Sequence, residues 1–123
     1  MFRLGMSTAL GAVSLLAPLC WSAQAAADNY GAIAFSQDTG AIGFSHDYGT
    51  RAGAEERALN ECGSDCEVVL WFRNACGALA TGDDNGYGTG WASSRREAEQ
   101  IARSNCNDNA KNCTINRWVC TSR

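Results

Sequence analysis

The chain has 123 residues, 46% of them hydrophobic and 19% charged, with 13 Gly, one Pro and seven Cys, which allows one small domain with a modest core. Its net charge of −3 has the wrong sign for the electrostatic footprint of nucleic-acid or anionic-membrane binding. Neither is therefore an expected partner.

Residues 1–25 read as a secretory signal peptide: one positive charge at Arg3, an apolar stretch over residues 4–19, then Ala23-Gln24-Ala25 as the small-residue cleavage site. A membrane anchor needs roughly 20 apolar residues with few interruptions, whereas Ser7, Thr8, Ser14 and Pro18 interrupt this one. Leu19 stands before Cys20, where lipid attachment wants a small residue. The expectation is export to the periplasm or the medium, without membrane insertion. The mature chain is then residues 26–123, a single disulfide-rich domain with nine basic against 13 acidic residues. Six cysteines remain in it, Cys62, Cys66, Cys76, Cys106, Cys113 and Cys120, an even set that reads as three disulfides in an oxidising compartment.

The body of the chain repeats itself. Gly31-Ala32-Ile33-Ala34-Phe35-Ser36 recurs as Gly40-Ala41-Ile42-Gly43-Phe44-Ser45, two short strands of a hairpin. A second hairpin follows over residues 77–91, with Asn85-Gly86 expected to supply the positive φ angles of its turn. After each hairpin comes a helical pattern, residues 51–62 and 95–106. A shift of 44 superimposes Arg51 on Arg95, Ala54-Glu55 on Ala98-Glu99, Ala58 on Ala102 and Cys62 on Cys106. The apolar stripes, Ala54, Ala58, Cys62 and Ala98, Ile101, Ala102, Cys106, are narrow, and Ser94-x-x-Glu97 forms a capping box. A strand follows each helix, opened by Cys66 and by Cys113, with a Trp five residues on, Trp71 and Trp118. The fold class is α+β: two tandem ββαβ pseudo-repeats, residues 30–76 and 77–120, forming an antiparallel sheet with two helices on a face, cross-linked by three disulfides.

Tyr30-Gly31-Ala32-Ile33-Ala34-Phe35-Ser36, the helix ending in Cys62, the run Trp71-Phe72-Arg73-Asn74-Ala75-Cys76-Gly77-Ala78-Leu79-Ala80 and the terminal Trp118-Val119-Cys120 resemble the bacterial exported domain-of-unknown-function family 4189. The resemblance covers essentially all of the mature chain. It implies a small bacterial exported domain and carries over no catalytic residues.

Each candidate chemistry has a plainer alternative. Cys62 and Cys106 lie at helix C-termini, where the dipole disfavours a thiolate, and the cysteine spacings do not make a zinc site. Fifteen pairings are possible. The repeat favours Cys62 with Cys66, Cys106 with Cys113, and Cys76 with Cys120 as a link between the halves. A rival joins Cys62 to Cys106. Loop entropy assigns roughly 2 kcal/mol to the smallest loop and about 4 to the longest.

Ser45-His46-Asp47 holds the residue types of a hydrolase triad, but alternation along a strand puts Ser45 and Asp47 on one face and His46 on the other. Glu55 and Glu99 are the candidates for an acid/base pair in a small secreted hydrolase, though their helices carry enough Arg to read as solvated faces. Asp83-Asp84-Asn85-Gly86 fails the calcium-loop spacing, and Asn112-Cys113-Thr114 is a chance glycosylation pattern. Tyr87, Trp91, Tyr48 and Tyr30 sit at hairpin ends where a ring can stack on a sugar or anchor a protein, whereas Trp71 and Trp118 are expected in the core. Arg73-Asn74 is a polar pair with the plain role of a turn.

The leading expectation is a non-enzymatic binding or inhibitor module for an extracytoplasmic protein or glycan, with Trp91, Tyr87 and Arg73 as binding residues and no cofactor or metal. A hydrolase using acidic residues and a structural envelope component are the alternatives.

Overall fold

The computed structural model describes residues 28–122; residues 1–25, expected from sequence to be a signal peptide, lie outside the described residues. The elements run β1 (Tyr30–Phe35), β2 (Ile42–Tyr48), α1 (Arg51–Cys62), β3 (Glu67–Arg73), β4 (Cys76–Thr81), β5 (Tyr87–Ala92), α2 (Arg95–Asn107) and β6 (Thr114–Cys120). The α+β class and the tandem ββαβ units follow the sequence reading. The strands, however, form two three-stranded antiparallel sheets, ordered β2-β1-β3 and β5-β4-β6, one per unit, where a single sheet was expected.

Alternation along the two central strands explains the division. On β1, Ala32 and Ala34 face α1 in one cluster while Ile33 and Phe35 enter another. On β4, Ala78 and Ala80 face α2 while Leu79 joins Ile33 and Phe35. Each sheet thus turns a small-residue face to its own helix and a large-residue face to the other sheet. The result is four layers: α1, first sheet, second sheet, α2.

Small residues set the helix-to-sheet distance. Ala54, Ala58, Ala98 and Ala102 are fully buried, and below them the backbone of Gly43 abuts Ala58 and Cys62, as that of Gly88 abuts Ala102 and Cys106. No Cβ fits at either glycine. Ile101, placed on the apolar stripe by spacing, is 42% exposed, because three alanine-sized positions already fill this narrow contact. Thr50 and Ser94 cap the two helices, accepting from the Gly53 N–H at 3.0 Å and the Glu97 N–H at 3.2 Å. In the β4–β5 turn the positive φ angles belong to Asp84 and Asn85, at 59° and 58°, while Gly86 is extended at −65°. The 3-10 turn over Asp83–Asn85 replaces the expected two-residue turn.

The disulfides join Cys62 to Cys66, Cys106 to Cys113 and Cys76 to Cys120. The last does not link the halves. Cys76 opens β4 and lies directly opposite Cys120 on β6, so the bridge closes the second unit, and the same ladder end in the first unit pairs Tyr30 with Arg73. No disulfide crosses between units. They are held by the apolar layer between the sheets, by the short β3–β4 connection and by polar ties. Phe72, 2% exposed, anchors the apolar layer, its ring filling the space over Gly31 and Gly77. Asp47 is the firmest polar tie: its carboxylate accepts from the Ser122 N–H at 2.8 Å and the Ser122 hydroxyl at 2.6 Å.

Two outcomes follow. Phe72→Ala empties the inter-sheet layer and is expected to cost about 3–5 kcal/mol, read from urea unfolding; a loss under about 1 kcal/mol contradicts this account of how the units are joined. The Ser122 hydroxyl, and then the Ser122 N–H, hold the Asp47 carboxyl below its ordinary value. A folded pKa below the unfolded one makes the tie fully present above the unfolded value of about 3.9, and the stability is lost as pH falls through the lowered folded value. Asp47→Asn should therefore flatten the acid limb of stability against pH relative to the unaltered protein, measured by urea midpoints.

Candidate binding surface

The edge strands β3 and β5 lie against one another on one flank of the sandwich, and β2 and β6 on the other. A groove of about 550 Å³ opens on the β3/β5 flank, lined by Val69, Leu70, Trp71, Phe72, Arg73 and Trp91. Trp91 lies opposite Gly77 on β4, so it points from the inner face of its sheet toward β3, and at the open edge it stays 58% exposed. Its counterpart wall is apolar, Val69 and Leu70 being half-buried against the central layer. Large exposed aromatic surface beside an apolar wall is the composition of a contact site.

Arg73 stands at the mouth of this groove. The Tyr30 hydroxyl, and after it the Asp28 carboxylate 3.6 Å away, push its guanidinium still further toward the charged form. Asn74 beside it does not bond its own turn. It donates from Nδ2 to Asp28 at 3.1 Å, accepts from the Asn29 N–H at 2.9 Å and donates its own N–H to the Asn29 carbonyl at 2.9 Å. The pair clamps Asp28 and Asn29 to the β3–β4 turn. Tyr87 is elsewhere: half-buried, it meets Phe35 edge-on at 5.4 Å between ring centres. Of the three binding residues expected from sequence, Trp91 and Arg73 share a groove and Tyr87 does not join them.

Trp71 and Trp118 are not core residues. They are 40% and 41% exposed, each facing its helix across Ala32 or Ala78, beyond the point where the helix begins. The first arginine of each helix lies over the ring, Arg51 at 4.4 Å from the Trp71 centre and Arg95 at 3.8 Å from the Trp118 centre. The same arginines donate from Nε to Glu55 at 2.9 Å and Glu99 at 2.8 Å. These glutamates are therefore held in Trp–Arg–Glu stacks on helices that cover opposite outer faces of the sandwich. They do not form a two-carboxylate site across one cleft. Trp71 is the groove residue that the sequence reading misplaced; its position opposite the small Ala32, level with the helix start, is the signal for its exposure.

The Ser45-His46-Asp47 run is also not a triad. Ser45 is buried and donates to the Ala54 carbonyl at 2.6 Å. Asp47 adopts φ 63° at a register shift near the end of β2, which breaks the expected alternation and brings its Oδ2 to 3.1 Å from His46 Nδ1. Histidine and aspartate touch, but the serine hydroxyl is spent inside. Among the described residues no group of three or more His, Cys, Asp or Glu side chains is arranged to hold a metal ion. No helix among them is long and apolar enough to cross a membrane, and the three disulfides fit an oxidising, extracytoplasmic environment.

Known proteins are similar to this chain. Protein Rv1269c of Mycobacterium tuberculosis and Protein Mb1300c of Mycobacterium bovis are each 44% identical over 77 residues, covering 59% of this chain and 60% of theirs. The chain thus matches about 60% of the length of these curated relatives. The NMR structure of Rv1813c from Mycobacterium tuberculosis superimposes with a TM-score of 0.60 at 28% identity, covering 96% of this chain and 98% of that one. Over residues 30–120 the chain matches the family described as Domain of unknown function (DUF4189), and it belongs to that family.

Proposed function

We propose that the protein is exported and works by binding, holding a protein or glycan outside the cytoplasm in the groove between β3 and β5. The observation that carries this reading is Trp91, more than half exposed beside an apolar wall on a frame stiffened by three disulfides. A large rigid ring contributes contact area at little entropic cost, and the clamped Arg73 adds a fixed charge at the groove mouth. Small size is no obstacle to such a role, whereas a deep substrate cleft is hard to carve from two three-stranded sheets and two helices. The sequence supports export through the signal-like pattern of residues 1–25, and the disulfide chemistry agrees with it.

Two measurements test the reading. Intact mass of the product recovered outside the cytoplasm is expected to correspond to a chain beginning at Ala26; an unprocessed cytoplasmic product rejects export. For binding, oxidised protein immobilised as bait should retain envelope proteins or cell-wall glycans that the reduced and alkylated form does not. Trp91→Ala should lower that retention about tenfold or more while shifting stability by no more than about 0.5 kcal/mol, as expected of an exposed position. Retention unaffected by Trp91→Ala removes the groove as the site.

A further inference from the structure

Each hairpin presents one outer strand, β2 or β5, and antiparallel pairing turns the N–H and C=O of every second residue on such a strand away from its sheet. On β2 the bond from the Ser36 N–H to the Ala41 carbonyl fixes which residues these are. The pairs Phe35 with Ile42 and Ile33 with Phe44 are then non-hydrogen-bonded pairs, so Ile42 and Phe44 aim their backbone groups outward. Tyr87 and Thr89 hold the same places on β5, opposite Thr81 and Leu79. There α2 and the turn that follows it cap the two outward carbonyls. Asn105 Nδ2 donates to the Thr89 carbonyl at 2.7 Å and Asn109 Nδ2 to the Tyr87 carbonyl at 3.3 Å.

The first unit lacks both caps. Glu61 stands where the second unit has Asn105, each just before the last cysteine of its helix. A carboxylate has no N–H to give, and Glu61 accepts instead from Arg57 at 2.8 Å. Asn109 belongs to the turn between Cys106 and Cys113, which are 7 apart in sequence against 4 for Cys62 and Cys66, so the shorter turn has no counterpart for it. The other two sheet edges are blunted. β3 and β6 carry mid-strand register shifts that leave Val69 and Asn116 as extra residues, a common protection against added strands. Beside β2, in contrast, a cleft of about 220 Å³ runs along the edge, lined by Phe44, Ser45, His46, Tyr48, Arg57 and Glu61.

We propose that the outer edge of β2 is the docking site for an extended strand of another polypeptide, whose backbone amides take the places that the Asn105 and Asn109 side chains take on β5. A peptide backbone supplies amide N–H groups at the two-residue spacing of the Ile42 and Phe44 carbonyls; a glycan does not. Arg57 and Glu61 neutralise one another on the rim, so charge complementarity selects a strand without a concentration of either sign. This edge lies on the flank opposite the Trp91 groove, and the inference does not rest on that groove.

The test is a phage-displayed library of random peptides of about 12 residues, enough for one strand, panned on mature oxidised protein and followed by hydrogen exchange with the synthetic peptides selected. Expected are exchange at the Ile42 and Phe44 amides slowed about tenfold or more, and binding weakened to a similar degree by methylating alternate peptide nitrogens, because main-chain bonds carry this mode. Glu61→Asn, which installs the counterpart of the Asn105 cap, should also weaken binding about tenfold, and Trp91→Ala should leave it unchanged. The proposal is overturned if no peptide is selected, if protection falls on β3 or the Trp91 groove, or if N-methylation is without effect. It is equally overturned by a homodimer whose protected amides are Ile42 and Phe44, since the occupant is then a second copy.

Discussion

The fold depends on one contact, the ring of Phe72 set over Gly31 and Gly77. Those glycines are the second residues of β1 and β4, equivalent positions in the two units, so the ring fills a hole to which both sheets contribute a missing side chain. Everything between the sheets is arranged around it: Ile33, Phe35, Leu79 and Val119 complete the buried cluster. Because no strand ladder and no disulfide joins the units, this dispersion and burial, with the short β3–β4 connection and the polar ties, makes one body of them. The three bridges act one level lower. Two fasten a helix end to the strand that follows and the third closes the β4–β6 ladder, so each stiffens a unit and leaves the junction to packing.

That hierarchy also places the exposed aromatic residues. Glycine and alanine let each helix lie close upon its sheet, but a helix that starts at Arg51 or Arg95 does not reach the ends of β3 and β6. Trp71 and Trp118 are left beyond its edge, and the first arginine of each helix covers them. Trp91 has no such cover, since the inner face of β5 meets only the edge of β3. The candidate groove is thus a consequence of stacking two narrow sheets: three strands give each sheet one protected centre and two flanks, and the flanks are where large side chains meet solvent.

Much of this was legible in the sequence. The two ββαβ units, both helices nearly to the residue, and the division of the cysteines between helix ends and strand starts follow from the shift of 44 and from local spacing. What was not legible depended on the third dimension. Alternation places Ile33 and Phe35 on one face, but it does not say whether that face meets a helix or a second sheet; only the presence of small residues on the other face, facing α1, decides it. Cys76 sits at the boundary of the sequence repeat, so its bridge to Cys120 reads as a link between halves until pairing assigns Cys76 to β4. Trp71 looks like a core residue because it stands in the apolar run Val68-Val69-Leu70-Trp71-Phe72, and its exposure comes from where α1 begins. Tyr87 and Trp91 share one strand four residues apart, and they end in different surroundings because one meets Phe35 and the other meets the open flank.

The pseudo-symmetry supplies a way to separate structural residues from those free to serve a surface role. Positions that match between units are spent on the fold: Ala54 and Ala98, Ala58 and Ala102, the arginines over tryptophans, the glycines beneath helices. Positions that differ mark where the units diverge in what they present. The Tyr30–Arg73 pair answers to the Cys76–Cys120 bridge, Glu61 to Asn105, and His46, following Ser45 under α1, to Trp91, following Gly90 under α2. The last two differences lie on the flanks, whereas Cys76 is buried in the cluster facing α2. The same substitution that caps the β5 edge with amides leaves the β2 edge bare, and the same position that carries a solvated histidine on one flank carries the exposed indole on the other. In the inter-sheet layer the units differ because packing differs, Phe72 opposite Gly31 answering to Val119 opposite Gly77; at Glu61 and Trp91, both exposed, packing does not dictate the residue, and these two stand on the flanks proposed as binding surfaces.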